Sequence, residues 1–297
     1  MFVIIGIFVV LGAIVGGYLM EHGNIMVLVQ PAELVIIGGA ALGTLLIANP
    51  LPTVIKILKG VLGCLKPSPY STAFYLDTLK MLYDLFTRAR RQGLTALEAD
   101  LENPGESPVF SNYPKFLADH HALEFLCDTL RTHVAGASSP FEIDQLMELD
   151  LEIHHQESQG PIAALSTVAD SLPGLGIVAA VLGVVITMGA LGGPPEEIGH
   201  KVAAALVGTF LGILLCYGFI GPMASYMAKQ NDEYANYLRF LRVGIYSFVR
   251  GDSPIISIEY ARRSVQSAVR PKFQETEAHC RNSGGATESK PAEEAAA

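Results

Sequence analysis

Four stretches of this chain are apolar on every face, and the segments between them alternate with helical period. Phe2–Met20 carries no charged residue. A second stretch begins at Glu33, covers 33–48, and is stopped by Asn49-Pro50-Leu51-Pro52. The third and fourth cover 168–191 and 202–227, with Pro173 near the start of one and Pro222 near the end of the other. An apolar helix of about 20 residues crosses a bilayer core. All four fit that length, which predicts four membrane spans.

The intervening segments read as amphipathic helices. Residues 53–65 mix apolar and basic side chains and predict an interfacial helix, broken by Pro67-Ser68-Pro69. Across 72–92 the apolar positions Leu76, Leu79, Leu82, Tyr83 and Phe86 recur at i, i+3 and i+4. Residues 102–108, rich in Asn, Pro and Gly, predict a loop, and 116–134 a further helix. Ser139-Pro140-Phe141-Glu142 has the form of a capping box with proline at the first helical position. It opens a long acidic helix whose expected apolar stripe includes Leu146, Leu149 and Ile153, and Gly160-Pro161 predicts a bend before the third span. Beyond the fourth span, 231–250 continues helical, and Asp252-Ser253-Pro254 starts another short helix. From Thr276 onward apolar residues are scarce, which predicts disorder.

The expected fold is therefore all-α: a polytopic membrane protein with four transmembrane helices and a helical cytoplasmic domain. Its expected parts are transmembrane helices in 1–49, a soluble helical domain in 50–166, two further transmembrane helices in 167–228, C-terminal helices in 229–275 and a disordered tail in 276–297.

Composition supports this reading. Half of the 297 residues are hydrophobic and 16% are charged, unlike a soluble globular chain. Of the 20 Lys and Arg residues, nine lie in 51–167 and ten from Lys229 onward, while the two other links hold only Lys201. The positive-inside rule then places both basic segments and both termini in the cytoplasm. The first span starts at residue 2 without a basic n-region, so it reads as a retained helix rather than a signal peptide. A net charge of −9 argues against nucleic acid as a partner. Cys64, Cys127, Cys216 and Cys280 are widely spaced and read as structural thiols. The doublets His120-His121 and His154-His155 lack metal-site spacing, and no nucleophile elbow, phosphate loop or HExxH motif argues for an enzyme or a cofactor.

The chemistry concentrates in the third and fourth spans. Pro173 sits in Ser171-Leu172-Pro173-Gly174-Leu175-Gly176. It frees a backbone carbonyl, which allows either a static kink or a hinge lining a wet cavity. Pro222 admits the same two readings. Thr209 could bond back to its own helix or present a hydroxyl to a pathway. Asp170 reads as a helix-start carboxylate at the cytoplasmic edge and is counted with Pro173, Ala180, Thr209 and Pro222 among the expected ion-path residues, and Glu33 reads as an interfacial carboxylate. No carboxylate is expected at membrane depth, so an ion-carrying group must come from another chain. The pairs Gly12/Gly16, Gly39/Gly43 and Gly208/Gly212 allow close helix approach, either within the chain or between copies. In the soluble part, Arg88, Arg90 and Arg91 face Glu98, Asp100 and Glu102 across Gln92-Gly93-Leu94, an arrangement suited to a transient electrostatic contact.

These residues resemble a known family. Residues 170–181, beginning Asp170-Ser171-Leu172-Pro173-Gly174, and 207–222, beginning Val207-Gly208-Thr209 and ending Gly221-Pro222, are similar to the third- and fourth-span signatures of MotA, the A subunits of bacterial flagellar stators. Residues 97–104 are similar to the family's cytoplasmic loop, and the likeness covers about 1–275. The resemblance implies an inner-membrane homopentamer around two B subunits (MotB), each of which brings the aspartate that takes the ion. It implies that Pro173 and Pro222 belong to the ion path and its conformational step, and that Arg90 and Glu98 engage the rotor protein FliG. Sodium-driven relatives carry a hydroxyl residue seven positions after the span-three proline; Ala180 stands there, which favours H+. Thr209 is shared by both types. Lipid is the remaining partner. The alternatives are an ExbB/TolQ-like energiser subunit, which would lack the extra first helix and rotor-facing loop, and a self-contained channel, which would need its own embedded ionisable residue.

Overall fold

The computed structural model describes residues 2–136, 139–189 and 192–281. Among them the structure is helical throughout, with no strand, and four helices are long and apolar enough to cross a membrane. The chain divides into two compact units: 1–67 with 156–231, and 68–155 with 232–297.

The first unit contains α1 (Phe2–Met20), α2 (Ile25–Leu28), α3 (Pro31–Ala48) and α4 (Leu51–Gly63). To these it adds the later part of α9 (Pro140–Met188), then α10 (Pro195–Leu214), a π-helical turn (Leu215–Ile220) and the start of α11 (Gly221–Val249). α1 buries none of its side chains, and Phe2, Phe8 and Val9 are largely exposed. An all-apolar exposed helix needs hydrocarbon or other apolar helices around it in place of water. The second apolar stretch starts earlier than the sequence pattern indicates. α2 begins at Ile25, capped by the Asn24 side chain accepting from the Met26 amide at 3.0 Å, and Glu33 therefore lies well inside the span. α4 and residues 156–166 group with the membrane helices.

Both internal prolines of α9, Pro161 and Pro173, are accommodated within a continuous helix. The expected bend at Gly160-Pro161 does not interrupt it. α9 starts at the capping box: the Glu142 amide donates to Ser139 Oγ at 3.3 Å and the Ser139 amide to Glu142 Oε2 at 2.7 Å. The Ser139 amide and hydroxyl hold the Glu142 carboxyl below the usual carboxylate range.

The second unit is built on α5 (Thr72–Gln92), whose start is capped by Ser71. Its buried face holds Phe74, Leu79, Leu82, Leu85, Phe86 and Ala89. That face packs on Tyr237, Phe240, Leu241 and Phe248 of α11, with the Phe86 and Phe248 rings stacked at 4.3 Å and 2°. α12 (Pro254–Ser264) lies over the same core: a Cβ on Gly244 would come within 3.2 Å of the Ala261 Cβ. From α9 the core takes Ile143 and Met147. Leu146, Leu149 and Ile153, expected to face inward, are instead exposed. The packing stripe is one residue out of phase with that reading, and Arg242 fixes the phase by donating to Asp144 at 2.8 Å.

Two further expectations need correction. The helix expected over 116–134 is two helices, α7 (Pro114–Leu117) and α8 (His120–Val134). Asp119 interrupts them, its carboxylate accepting from the Ala122 amide at 3.1 Å to cap the second. The expected disorder from Thr276 is overturned as far as Arg281. α13 (Phe273–Arg281) covers those positions, with Thr276 and Cys280 buried; the rest of the expected tail, 282–297, lies outside the described residues.

Truncating Phe86 to Ala removes a fully buried, stacked ring. The second unit should lose about 3–5 kcal/mol, measurable as a lowered midpoint in denaturant unfolding of the detergent-purified protein. A loss under about 1 kcal/mol would mean that the core closes over the gap.

Candidate functional site: a glycine-seamed helix pair and a charged helix junction

α9 and α10 meet backbone to backbone. A Cβ on Gly212 would lie 2.5 Å from the Leu172 carbonyl oxygen and 2.8 Å from Gly176 Cα. One on Gly176 would lie 2.8 Å from the Gly208 oxygen, and one on Gly183 2.7 Å from the Ala205 Cβ. The Gly208/Gly212 pair is therefore consumed in packing the chain against itself. Gly12, Gly16, Gly39 and Gly43 meet nothing within 4 Å in this chain.

The seam brings three of the sequence-predicted residues of the two spans, Pro173, Ala180 and Thr209, to a common wall. Ala180 is half-buried, and its amide nitrogen lies 3.2 Å from where a Gly208 Cβ would be. Thr209, the next residue, is also half-buried. Pro173 follows Leu172, whose carbonyl abuts Gly212, and is half-buried itself. Because Pro173 has no N–H, the Ala169 carbonyl four residues earlier loses its ordinary helical donor. Asp170 is exposed and stands apart from the Gly208–Thr209 level, nine positions before Ala179 on its helix.

Pro222 is exposed and sits just past the π turn. It withdraws the donor that the Gly218 carbonyl would otherwise receive, and the helix answers by widening: the Gly221 amide donates to Cys216, five residues back. A Cβ on Gly221 would lie 2.8 Å from the Cys216 oxygen, so the wide turn needs glycine there. The sequence marks the proline but not the widened turn.

Glu33 is the residue that sequence reasoning misplaces. It is 6% exposed, its Oε2 is buried without a hydrogen-bond partner, and a Cβ on Gly208 would touch that oxygen at 2.8 Å. A carboxyl thus lies between the packed helices, where none was expected. The available signal is the apolar stretch 25–29 preceding Pro31, which extends the span beyond Glu33.

In the second unit the mixed charge cluster separates into two parts. Arg88 Nε lies 3.3 Å from Oδ2 of Asp100, which is 1% exposed and also accepts from Ser107 Oγ at 2.7 Å. Those two residues hold the junction together. Arg90 and Glu98 are exposed on either side of it. Gly93, at φ +88°, and the single 3₁₀ turn Leu94–Leu97 reverse the chain between α5 and α6 (Glu98–Glu102). Arg90 Nη1 donates to the Gly251 carbonyl at 3.2 Å.

Among the described residues no group of three or more His, Cys, Asp or Glu side chains could hold a metal ion. The four cysteines are buried free thiols.

Comparison with known proteins identifies relatives over most of the chain. Residues 4–93 match the model of the motility protein A N-terminal domain, and 118–239 that of the MotA/TolQ/ExbB proton channel family. The chain is 42% identical over 281 residues to motility protein A of Escherichia coli K12, covering 95% of each. It is 35% identical to the chemotaxis protein LafT of Vibrio parahaemolyticus, over 92% of this chain and 96% of that one. A solved structure of C. jejuni MotAB shares the fold at a TM-score of 0.73, with 19% identity over 89% of this chain and 95% of that one.

The seam makes a paired prediction. Gly212→Ala must push against backbone and should cost about 1–3 kcal/mol, read as reduced accumulation in membranes and a lower melting temperature. Gly174→Ala, with nothing within 4 Å, should accumulate and melt as the parent does. Equal behaviour of the two would refute the close seam.

Proposed function

The chain belongs to the motility protein A family, and we propose how it serves as the stator subunit of the bacterial flagellar motor, converting an ion gradient into torque together with a B-type partner. The observation that carries the mechanism is the α9–α10 wall, which places Pro173, Ala180 and Thr209 along one glycine-packed seam. The B subunit supplies the aspartate that takes up and releases the ion. The ion is a proton, since Ala180 offers no hydroxyl where sodium-driven relatives carry one. The description of the matched domain as a proton channel family supports this reading. Neutralising the partner's carboxylate removes a charge from a low-dielectric site and changes which packing of the neighbouring helices is favoured. A proton crossing about 100 mV makes roughly 2.3 kcal/mol available for that step.

The unit is a pentamer of this chain around two B subunits, seated in the inner membrane with both termini in the cytoplasm. Support comes from the Lys and Arg distribution and from the lipid- or subunit-facing side chains of α1 and α3, among them Phe8, Val35 and Ile47. The free glycine faces of α1 and α3 suit contacts between copies. Arg90 and Glu98 are the contacts to charged residues of the rotor protein FliG. Their exposure, beside the inward Arg88–Asp100 pair, supports that assignment.

Two experiments test this. Reversing Arg90 or Glu98 should cost under about 1 kcal/mol of stability and leave assembly intact while torque in tethered-cell rotation falls. Asp100→Ala leaves Arg88 partly buried and unpaired, and should destabilise by about 3–5 kcal/mol. If charge reversal at Arg90 and Glu98 lowers protein levels as far as Asp100→Ala does, their role is structural. Pro173→Ala restores the missing helical bond at the seam. It should give normal amounts of assembled complex and strongly reduced rotation; normal swimming speed at normal levels would reduce Pro173 to a packing feature.

A further inference from the structure

The carboxyl of Glu33 has no part in the mechanism above, yet it sits against the wall that the mechanism uses. It projects from the first turn of α3 into the space that Gly208 leaves open on α10, directly before Thr209. Its surroundings are small or apolar. Ala179 and Ile37 are both fully buried there, and the Ala179 Cβ would lie 3.2 Å from a Cβ on Gly208. Among the described residues no hydrogen-bond partner reaches Oε2. The charged and titratable groups on the packed helices lie elsewhere. On α10 they are Glu196, Glu197, His200 and Lys201 in the first turns, with Lys201 paired to Glu197 at 2.8 Å. On α9 the one in this unit's apolar span is Asp170, which is exposed. α2 carries none, and those of α4, Lys56 and Lys59, lie beyond the far end of α3. An ionised carboxylate without a counter-charge is too costly in such a place and takes up a proton instead.

We propose that Glu33 is a second, exchangeable proton-holding group of the stator, supplied by this chain and placed on the non-cytoplasmic side of the partner's aspartate. The inference rests on the proton-conducting reading above. In the relay, a hydronium O–H bond breaks as the Oε2–H bond forms, and water leaves. The same proton then passes to the partner's carboxylate, and Glu33 is reprotonated from outside; no electrons are exchanged. Gly208 matters because a methyl group there would displace the carboxyl from the seam.

The test uses the complete complex of this chain with its B subunit, comparing the parent with Glu33→Gln, which keeps the shape and removes the acid. In infrared spectra of the complex in lipid at neutral pH, the parent should show a protonated-carboxyl C=O band that shifts in D2O and is lost in Glu33→Gln. In motile cells, the speed of Glu33→Gln relative to the parent should approach one at acidic external pH and fall as external pH rises, because loading from scarce protons then lacks its collecting group. Absence of the band, absence of its D2O shift, or a speed ratio that does not change with external pH overturns the proposal. If the parent complex turns no motor at all, the stator reading fails first, and the infrared band reports on Glu33 independently of it.

Discussion

The backbone contact between Leu172–Gly176 and Gly208–Gly212 sets the terms for the rest of the membrane unit. In lipid there is no hydrophobic gain from bringing two apolar helices together, so association relies on close van der Waals fit. Glycine at both faces lets the axes approach until carbonyl and Cα are in contact. The positions of Pro173, Ala180, Thr209 and Glu33 follow from that approach. Ala180 and Glu33 lie within 3.2 Å of where a Gly208 Cβ would be, Thr209 follows Gly208, and Pro173 follows the Leu172 carbonyl that abuts Gly212.

Two prolines persist inside long helices of this unit. A proline in a helix strands one acceptor, and in hydrocarbon a stranded acceptor is costly. The chain meets this in two ways. Around Pro173 the α-helix continues, leaving the Ala169 carbonyl in a buried stretch of α9. Before Pro222 the helix widens into a π turn, and the amide of Gly221 reaches back to Cys216. One proline leaves a carbonyl short of a donor, and the other shifts the hydrogen-bond register of its helix.

Much of this is legible in the chain. The four spans follow from all-round apolarity, and α5 and the capping box of α9 follow from periodicity and side-chain chemistry. What fails to show has physical causes. The stripe on α9 is ambiguous because that helix is apolar on two adjacent lines in its first turns, and the contacts of Ile143 and Met147 with the core and of Arg242 with Asp144 and Glu148 decide which faces inward. α13 is hidden because its burial depends on α5, far away in sequence, with His279 Nε2 lying 3.6 Å from Asp77 Oδ1. Asp100 and Glu98 look alike as letters in a charged loop. The turn at Gly93 sends one inward to Arg88 and leaves the other in water. Glu33 reads as interfacial because Pro31 looks like the start of the span, while the apolar residues before it extend the buried stretch.

The hydrogen bond from Arg90 to the Gly251 carbonyl has a consequence for encounter rates. An arginine free in solvent samples many rotamers, and a partner that fixes one of them must offset that entropy. Here the guanidinium already rests on the carbonyl of a glycine at φ +101°, just past the end of α11. Four of its five N–H donors remain available to an acidic group. A charge that passes and departs repeatedly therefore meets a side chain held near one orientation, which favours short-lived contacts of repeatable geometry over tight capture.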